Sequence, residues 1–586
     1  MANQPSRQKG QRLGQRRQRH QPQGARQQGG YDRDWRLDIG HLGLGREHGR
    51  LGSLIRRRSR RVDLCQVLAR TGLLRPRGHS TGAILDAIHR HLPVFSTLRE
   101  FLDWAERERD LVRVAQPVKT REQITAVQMK VLKAAGPVLR FDTPVLPDGS
   151  TSAVPVITNL FGTRRRVAAG LGLLPDQISD FGEFLAELRM PAPVDGMRDA
   201  FSRWPMLKAA LSTRPKVLRK APVQEVVNET PDLGSLPVQT CWPGDGGPLL
   251  TWPVVLTRPH GSDAQAVARY NAGVYRAQVL GRDRLILRWL AHRGGAAHHR
   301  GWARAGEPMP VAIVLGADPA TLLAATLPLP ETVSELTFSG VLRGSRMELV
   351  AARTVPLLVP AHAEMVLEGW VSPTETAPEG PFGDHTGYYN AVEPFPVMQV
   401  TALTHRTNPL YLSTSTGRPP DEPSVIAEVF NDLVLPVIRQ QIPEVCDLWL
   451  PPAACSYRIA VVSIDKRYPG QARRVMMALW GMLPQFSYTK MVIVVDSGLD
   501  VRNWDDIAWA LATRMDPGRD VMLLDRTPMD YLDFASPLEG LAGKIGIDAT
   551  TKIGTETSRE WGRVIAMSPE AEAFADNLIA GLGAAR

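Results

Sequence analysis

Cysteine is scarce in this chain of 586 residues. The four present, Cys65, Cys241, Cys446 and Cys455, have neither the paired spacing of a metal site nor the density of a disulfide framework. We therefore expect a cytoplasmic, reducing compartment. No apolar run approaches the roughly 20 residues that span a bilayer, so any membrane contact is predicted to be peripheral.

Motifs for nucleophilic and phosphate chemistry are missing as well. No nucleophile elbow and no ordered Ser, His and Asp arrangement is present, which argues against the common hydrolase types. The stretch "GADPATLL" has a single glycine before a predicted helix and is not a phosphate loop. His298 and His299 are adjacent, so their side chains diverge on regular structure, and we interpret both as solvated.

Positive charge is concentrated in the first segment. Residues 1–94 hold 19 Arg and one Lys against five Asp and one Glu, a net charge of +14, so the rest carries −4 of the total of +10. Because this Gln-, Arg- and Gly-rich segment has little to bury, we expect residues 1–94 to be a disordered extension. This segment has three interpretations: it binds RNA, it is an inert tail, or the start codon has been assigned too far upstream. We favour the third and expect no nucleic-acid partner, because no Met lies between Met1 and Met129 whereas a helical pattern begins near Val94.

The rest of the chain changes character twice. A helix and then short strands predict an N-terminal mixed α/β domain over 95–225. Hairpin-like alternation predicts a central β-barrel-like domain over 226–415, and strands alternating with helices predict a doubly wound, parallel α/β domain over 416–586 with a terminal helix. The predicted fold class is therefore α/β in the broad sense, an α+β multidomain chain.

Two carboxylates lie in the stretch "APEGPFGDHTGYYN", residues 377–390. Pro378 and Pro381 restrict φ and the glycines permit unusual turns, so we expect Glu379 and Asp384 to be held in a specific loop. Two acids this close can raise each other's pKa, which would let one donate a proton near neutral pH. An isolated pair is more often a solvated turn, but its position between two predicted strands favours a functional site.

Cations and amides occupy the strands upstream of this loop. Asn271 and Arg276 would point to opposite faces of a regular strand, so a bulge at Gly273 is predicted to reset the register. Arg276 then shares a face with Gln278, and the next strand adds Arg288. Arginine grips a carboxylate or phosphate with two parallel hydrogen bonds, which indicates an anionic ligand. A solvated face with arginines paired to acids remains the alternative.

Donors for a divalent ion are also present in this region. Asn271, His292 and a later Glu offer oxygen and nitrogen ligands of the hard or borderline kind. Scattered donors of this type specify no particular metal. The residues alone therefore allow a metal site without identifying its ion.

Eight stretches, taken in order, resemble one known family. They are "NAGVYRAQVLG", "RWLAHRGG", "GADPATLL", "SELTFSGVLRG", "EGPFGDHTGYY", "GRPPDEPS", "TRMDP" and "DYLDFASP". They are similar to the UbiD family of reversible decarboxylases that use prenylated FMN. The resemblance runs from about residue 95 to about 563 and implies that the central domain is a split β-barrel like that of flavin reductases. The N-terminal extension is its one clear departure.

This resemblance implies roles for individual residues. Arg276, Glu379 and Asp384 match the catalytic set, with Asp384 as proton donor, and Lys544 is a further candidate to face the cofactor. The positions that match cofactor contacts are Val274, Tyr275, Arg276, Arg288, Trp289, Leu290, Arg293 and Gly294.

A metal centre is implied by the same resemblance. Asn271 and Glu335 match its ligands, and His292 is a less certain third ligand. The implied ion is Mn²⁺, bridging the protein and the flavin phosphate, with K⁺ as an additional cation.

Within the family, the chain looks most similar to members that convert a 3-polyprenyl-4-hydroxybenzoate to a 2-polyprenylphenol in ubiquinone biosynthesis. This implies a flavin prenyltransferase that supplies the cofactor, a homo-oligomer, commonly a hexamer, and peripheral association with the cell membrane. One alternative is the same chemistry on another aromatic or acrylic acid. A second is a non-catalytic flavin- or RNA-binding protein.

Overall fold

The computed structural model describes residues 94–583, apart from 192–202 and positions 292, 328, 331, 456 and 483. The predicted disordered extension over 1–94 lies outside the described residues except for Val94. The helices are α1 (Leu98–Arg107), α2 (Gln123–Lys133), α3 (Arg164–Gly170), α4 (Ile178–Arg189), α5 (Trp204–Ser212), α6 (Gly294–Ala305), α7 (Pro319–Ala324), α8 (Glu335–Arg343), α9 (Glu422–Gln441), α10 (Gln471–Met482), α11 (Trp504–Arg514), α12 (Pro517–Asp520) and α13 (Pro569–Gly583).

The strands are likewise numbered in chain order. They are β1 (Leu111–Val114), β2 (Val118–Lys119), β3 (Val138–Phe141), β4 (Pro144–Val145), β5 (Val156–Thr158), β6 (Lys216–Leu218), β7 (Val226–Asn228), β8 (Leu249–Leu250), β9 (Val254–Thr257), β10 (Asn271–Val274), β11 (Ala277–Val279), β12 (Arg284–Leu287), β13 (Met309–Leu315), β14 (Glu348–Ala351), β15 (Leu358–Pro360), β16 (Met365–Glu379), β17 (Glu393–His405), β18 (Tyr411–Leu412), β19 (Val445–Trp449), β20 (Ile459–Ile464), β21 (Met491–Asp496), β22 (Val521–Pro528) and β23 (Leu541–Ala549).

The N-terminal region is the predicted mixture of helix and strand. The hydroxyl of Thr97 caps α1 by accepting a hydrogen bond from the amide of Glu100, and the apolar face of the helix is buried. Strands β1, β3, β5 and β18 form one sheet. Because β18 follows the central strands in the chain and pairs in parallel with β5, the N-terminal and central regions are joined through this sheet.

The central region is a nine-stranded antiparallel sheet. Its strand order is β10, β9, β13, β16, β17, β12, β11 and β8, with β7 beside β17. The long strands β16 and β17 pair from Met365 with His405 to Glu379 with Glu393. Strand β13 is buried along its whole length between β9 and β16. The predicted β-rich centre is confirmed.

The two ends of this sheet meet where β10 is followed by β11. Strand β10 pairs with β9 at one end of the sheet, whereas β11 pairs with β12 and β8 at the other. Only Tyr275 and Arg276 separate them, a span of roughly 11 Å at most, so the sheet must curl until its ends approach. This is the predicted split barrel. The predicted bulge at Gly273 is wrong, because Gly273 pairs regularly with Val255 and the break falls after Val274.

The C-terminal sheet has the order β19, β20, β21, β23, β22. Its central strands β20, β21 and β23 are parallel, but β19 and β22 are antiparallel to their neighbours. The prediction of parallel strands is therefore right only for the middle of the sheet. Helices α9 and α10 pack on one face and α11 on the other, which is the doubly wound arrangement.

The predicted terminal helix is α13, and its side chains are exposed. Among the helices described, none combines the length and apolar character needed to cross a membrane. The domain limits 95–225, 226–415 and 416–586 stay predictions.

Candidate active site

The acid loop is the connection between β16 and β17, residues 380–392. Strand β16 ends at Glu379, so this acid lies at the end of a strand, whereas Asp384 lies in the turn, next to a β-bridge made by Gly383. Gly380 has φ of +94°, in the left-handed region that favours glycine. The predicted non-helical shape of the loop is confirmed.

A third carboxylate holds the acid loop from outside. Asp245 accepts hydrogen bonds from the amides of Gly383 at 3.0 Å and Trp242 at 2.8 Å. Gly246 lies so close that a Cβ there would be 2.3 Å from the carbonyl oxygen of Gly380. The stretch around Asp245 therefore fixes the loop, a role that its sequence did not signal.

Arg276 joins the two acids. Its Nε and Nη2 donate to Glu379 at 2.8 and 3.2 Å, and its Nη1 donates to Asp384 at 2.8 Å. Its Nη2 also donates to Oδ1 of Asn390 at 2.9 Å, and this oxygen accepts from the amide of Phe382 as well. The structure thus brings together the three residues of the predicted catalytic set. Sequence reasoning missed Asn390, although it ends the stretch that carries both acids.

Glu379 has a second arginine partner. Arg288 donates from Nη1 to Glu379 at 2.7 Å and from Nη2 to Glu393 at 2.9 Å. Its guanidinium lies over the rings of Phe395 and Tyr531, at 4.7 and 4.9 Å. Since Glu379 is fully buried, its charge is balanced by Arg276 and Arg288 together. Glu393 had no signal in the sequence, whereas Tyr531 lies in the stretch "DYLDFASP" but had been given no role of its own.

Asp384 is held in its ionised form. Burial opposes this, but the hydrogen bond from His385 and the charge of Arg276 together bring the pKa of Asp384 well below its ordinary value. Burial likewise works against the charge on His385, yet its hydrogen bond to Asp384 leaves the pKa of His385 raised. The expectation that the two acids raise each other's pKa is therefore wrong for Asp384, because Arg276 lies between them.

Two of the predicted metal ligands are adjacent. Nδ2 of Asn271 is 3.4 Å from Oε1 of Glu335, whose Oε2 accepts from the amide of Ala272 at 2.9 Å. Oδ1 of Asn271 accepts from the hydroxyl of Tyr275 at 2.9 Å. Burial raises the pKa of Glu335. An amide oxygen and a carboxylate suit a hard divalent cation such as Mn²⁺. The third predicted ligand, His292, lies outside the described residues.

Several of the predicted flavin contacts lie beside this pair. Helix α6 begins there at Gly294, where a Cβ would lie 2.8 Å from Nδ2 of Asn271, and a Cβ at Gly295 would lie 2.6 Å from Nε1 of Trp289. Nε1 of Trp289 and Nε of Arg288 are buried without a hydrogen-bond partner in the described part of the chain. A helix N-terminus, unpaired donors and close-packed glycines fit a flat anionic group such as FMN.

The remaining predicted cofactor contacts lie along the same path. Val274 ends β10, Leu290 follows β12, and Arg293 directly precedes α6. Lys544 lies elsewhere: it is buried in the C-terminal sheet, where its ammonium donates to the carbonyls of Ser487, Thr489 and Pro528.

The two adjacent histidines of α6 are half-buried, and each has a hydrogen-bond partner. His298 is hydrogen-bonded to the hydroxyl of Thr257 at 2.8 Å, and burial lowers its pKa to about 4. His299 is 3.0 Å from the carbonyl oxygen of Ser372 and contacts the ring of Trp289. The prediction of solvated side chains is wrong because α6 packs against the central sheet, which spacing along one helix does not reveal.

Three family models match consecutive parts of the chain. They are the N-terminal domain of 3-octaprenyl-4-hydroxybenzoate carboxy-lyase over residues 102–185, its Rift-related domain over 216–419 and its C-terminal domain over 424–549. Together they cover most of the residues that the structure describes.

Solved structures show the same likeness. The vanillic acid decarboxylase of Sedimentibacter hydroxybenzoicus, in its closed form, is 27% identical, covers 83% of this chain and 99% of its own, and has a TM-score of 0.71. An evolved dimeric form of the UbiD-class enzyme HmfF from Pelotomaculum thermopropionicum, in complex with prFMN, is 30% identical, with 82% and 98% covered and a TM-score of 0.65. The 3,4-dihydroxybenzoic acid decarboxylase of Klebsiella pneumoniae, at 22% identity with 82% and 99% covered and a TM-score of 0.63, shares the fold.

Proposed function

The chain belongs to the UbiD family, and on that premise we propose that it is a carboxy-lyase that removes CO2 from an aromatic acid with prenylated FMN as cofactor. The observation that carries the proposal is the position of Arg276. It lies between β10 and β11, where the two ends of the central sheet approach, and it pairs with both Glu379 and Asp384. A guanidinium in this position can grip a carboxylate, and an acid beside it can return a proton to the same place.

The cofactor would be held by the residues that line the split. The N-terminus of α6 and the Asn271–Glu335 pair would receive its phosphate with a Mn²⁺ ion, while Trp289 and Arg288 would contact its rings. When bound, prenylated FMN supplies the electron sink that amino acids lack, since loss of CO2 from an aromatic acid leaves a carbanion without a resonance outlet.

The chain's own residues orient the substrate and supply a proton. Arg276 orients the substrate carboxylate, and Glu379 keeps the guanidinium in place by two hydrogen bonds. Asp384 delivers a proton to the carbon that has lost CO2. Preorganisation matters because a misplacement of about 1 Å can reduce a rate roughly 100-fold, which is the reason for a loop fixed by Asp245 and Asn390.

The finer proposal concerns the substrate. We propose a 3-polyprenyl-4-hydroxybenzoate, converted to a 2-polyprenylphenol in ubiquinone biosynthesis by a cytoplasmic homohexamer that associates peripherally with the membrane. A flavin prenyltransferase would supply the cofactor, and K⁺ would accompany Mn²⁺. The names of the relatives, which cite vanillic and 3,4-dihydroxybenzoic acids, support an aromatic acid as the class. Another aromatic or acrylic acid is the second candidate.

The test begins with the protein purified after co-expression with a flavin prenyltransferase and with manganese supplied. We expect an absorption spectrum and an intact mass that correspond to bound prenylated FMN, and CO2 release from one acid of a panel of prenylated, hydroxylated and acrylic acids. A folded protein without the cofactor would refute the proposal and leave the flavin- or RNA-binding alternative.

A further inference from the structure

His385 lies between two carboxylates from distant parts of the chain. Its Nδ1 is 2.9 Å from Oδ1 of Asp384 in the acid loop, and its Nε2 is 4.0 Å from Oδ2 of Asp530, in the stretch between β22 and β23. Nε2 is buried and has no hydrogen-bond partner among the residues described. Since only the protonated ring carries a donor on both nitrogens, this placement suits an imidazolium with one acid on each side.

The other charged and titratable neighbours of His385 come from the C-terminal region. Tyr457, whose hydroxyl donates to Asp530, has its ring 6.1 Å from that of His385. Arg458 lies 3.6 Å from the other oxygen of Asp530. Asp421, which caps α9, is also close enough to interact electrostatically with His385. Asp384 and Asp530 favour the protonated ring of His385 against the opposing charge of Arg458.

Asp384 itself has no proton to give in this structure. Its two oxygens are occupied by Arg276 on one side and by His385 on the other, and the low pKa of Asp384 means that it is a carboxylate at neutral pH. Arg276 cannot serve as the source, because a guanidinium stays protonated. The backbone amide of His385 also donates to Oδ1 of Asp384, at 2.7 Å, but a peptide N–H does not release its proton near neutral pH. The Nδ1–H of His385 is therefore the remaining donor in hydrogen-bond contact with Asp384 that can give up a proton.

We propose that His385 supplies, through Asp384, the proton that replaces CO2 on the substrate, and that Asp530 holds the ring in place; the proposal rests on the proposed function. The bond between the ring carbon and the carboxylate breaks, and its electron pair stays on the carbon. A proton passes from Nδ1 of His385 to Asp384, and Asp384 protonates that carbon. The neutral imidazole then regains a proton from solvent, so no oxidant or reductant takes part. His385 acts through Asp384 and is a positioning residue.

The first experiment is the pH dependence of kcat for the loaded enzyme and its His385→Gln and Asp530→Asn variants. Wild-type kcat should fall on the alkaline side as His385 loses its proton. His385→Gln should lower kcat by about 100-fold or more and abolish this alkaline fall. Asp530→Asn should keep the fall but move it to lower pH, because one acid that favours the imidazolium is gone. A His385→Gln enzyme with wild-type kcat and the wild-type alkaline fall overturns the proposal.

A second measurement needs no turnover. Proton NMR of the His385 ring in the cofactor-free protein should show titration above the ordinary histidine range, and Asp530→Asn should lower that pKa. The proposal is overturned if the pKa of His385 lies in the ordinary histidine range and Asp530→Asn does not change it. This measurement decides the matter even if the His385→Gln variant does not fold. An enzyme that decarboxylates no acid in the panel would refute the proposed function instead, while the ring titration would still report on the proton held beside Asp384.

Discussion

Removing the charge of Glu379 should destabilise the protein far more than removing that of Glu393, although both pair with Arg288. The side chain of Glu379 is 0% exposed, and its partners Arg276 and Arg288 are 15% and 4% exposed. Glu379→Gln keeps the shape but leaves two buried guanidinium groups short of a counter-ion. Breaking a buried pair in this way costs about 3 to 5 kcal/mol.

Glu393→Gln is the matched control. Glu393 is 39% exposed, and an exposed pair is worth about 0 to 1 kcal/mol. The assay is calorimetric unfolding of the cofactor-free variants at neutral pH. For a cooperative unit of 150 to 250 residues, Glu379→Gln should lower Tm by roughly 6 to 20 °C, whereas Glu393→Gln should lower it by no more than about 4 °C. Equal decreases in Tm for the two variants would refute the view that the buried Glu379 is the main counter-ion of Arg276 and Arg288.

Four further variants, one of them a control, and one deletion probe the site and its surroundings. Asp384→Asn should abolish turnover and leave flavin bound, so loss of the flavin spectrum would count against its role as proton donor. Glu335→Gln should reduce the manganese retained per chain, measured by elemental analysis, while the exposed Glu307→Gln should not. Because the pKa of His298 is lowered to about 4 in the folded protein, the unfolded state binds more protons between about pH 4 and pH 6.5. The free energy of unfolding should therefore rise with pH in this window. In urea titrations, His298→Gln should reduce that slope by up to about 1.4 kcal/mol per pH unit. Deletion of residues 1–94 should leave decarboxylation unchanged, whereas loss of a salt-sensitive RNA affinity on deletion would favour the binding-protein alternative.

Local features of the fold were readable from the sequence. The helical pattern that begins near Val94 predicts α1, the hairpin-like alternation of the central region predicts antiparallel pairs such as β11 with β12, and the prolines and glycines of the acid loop predict its specific shape. Each depends on neighbours a few residues apart, which set φ, ψ and the face that a side chain occupies. The motifs that resemble the UbiD family are of the same local kind, and the family match is confirmed.

Several predictions failed where the decisive contact was distant in the chain. The antiparallel direction of the edge strands β19 and β22 and the partial burial of His298 both depend on packing between separate elements. Asn390 and Asp245 entered the site only because the acid loop folds back on Arg276 and on the stretch before β8. No sequence periodicity identifies such residues, because a single polar residue in a turn looks the same in the sequence whether its side chain is solvated or hydrogen-bonded within the protein.

The sequence by itself determined which chemical groups are available: an arginine before β11, two acids around a stiff turn, and an asparagine and a glutamate suited to a cation. Only the tertiary structure decided which of these groups carry charge and which hold protons. Arg276 reaches Asp384 across 108 residues of chain, and His385 faces Asp530 from another sheet. The physical reason is that the energy of a charge depends on burial and on distances of a few ångströms, and both are set by the packing of separate elements.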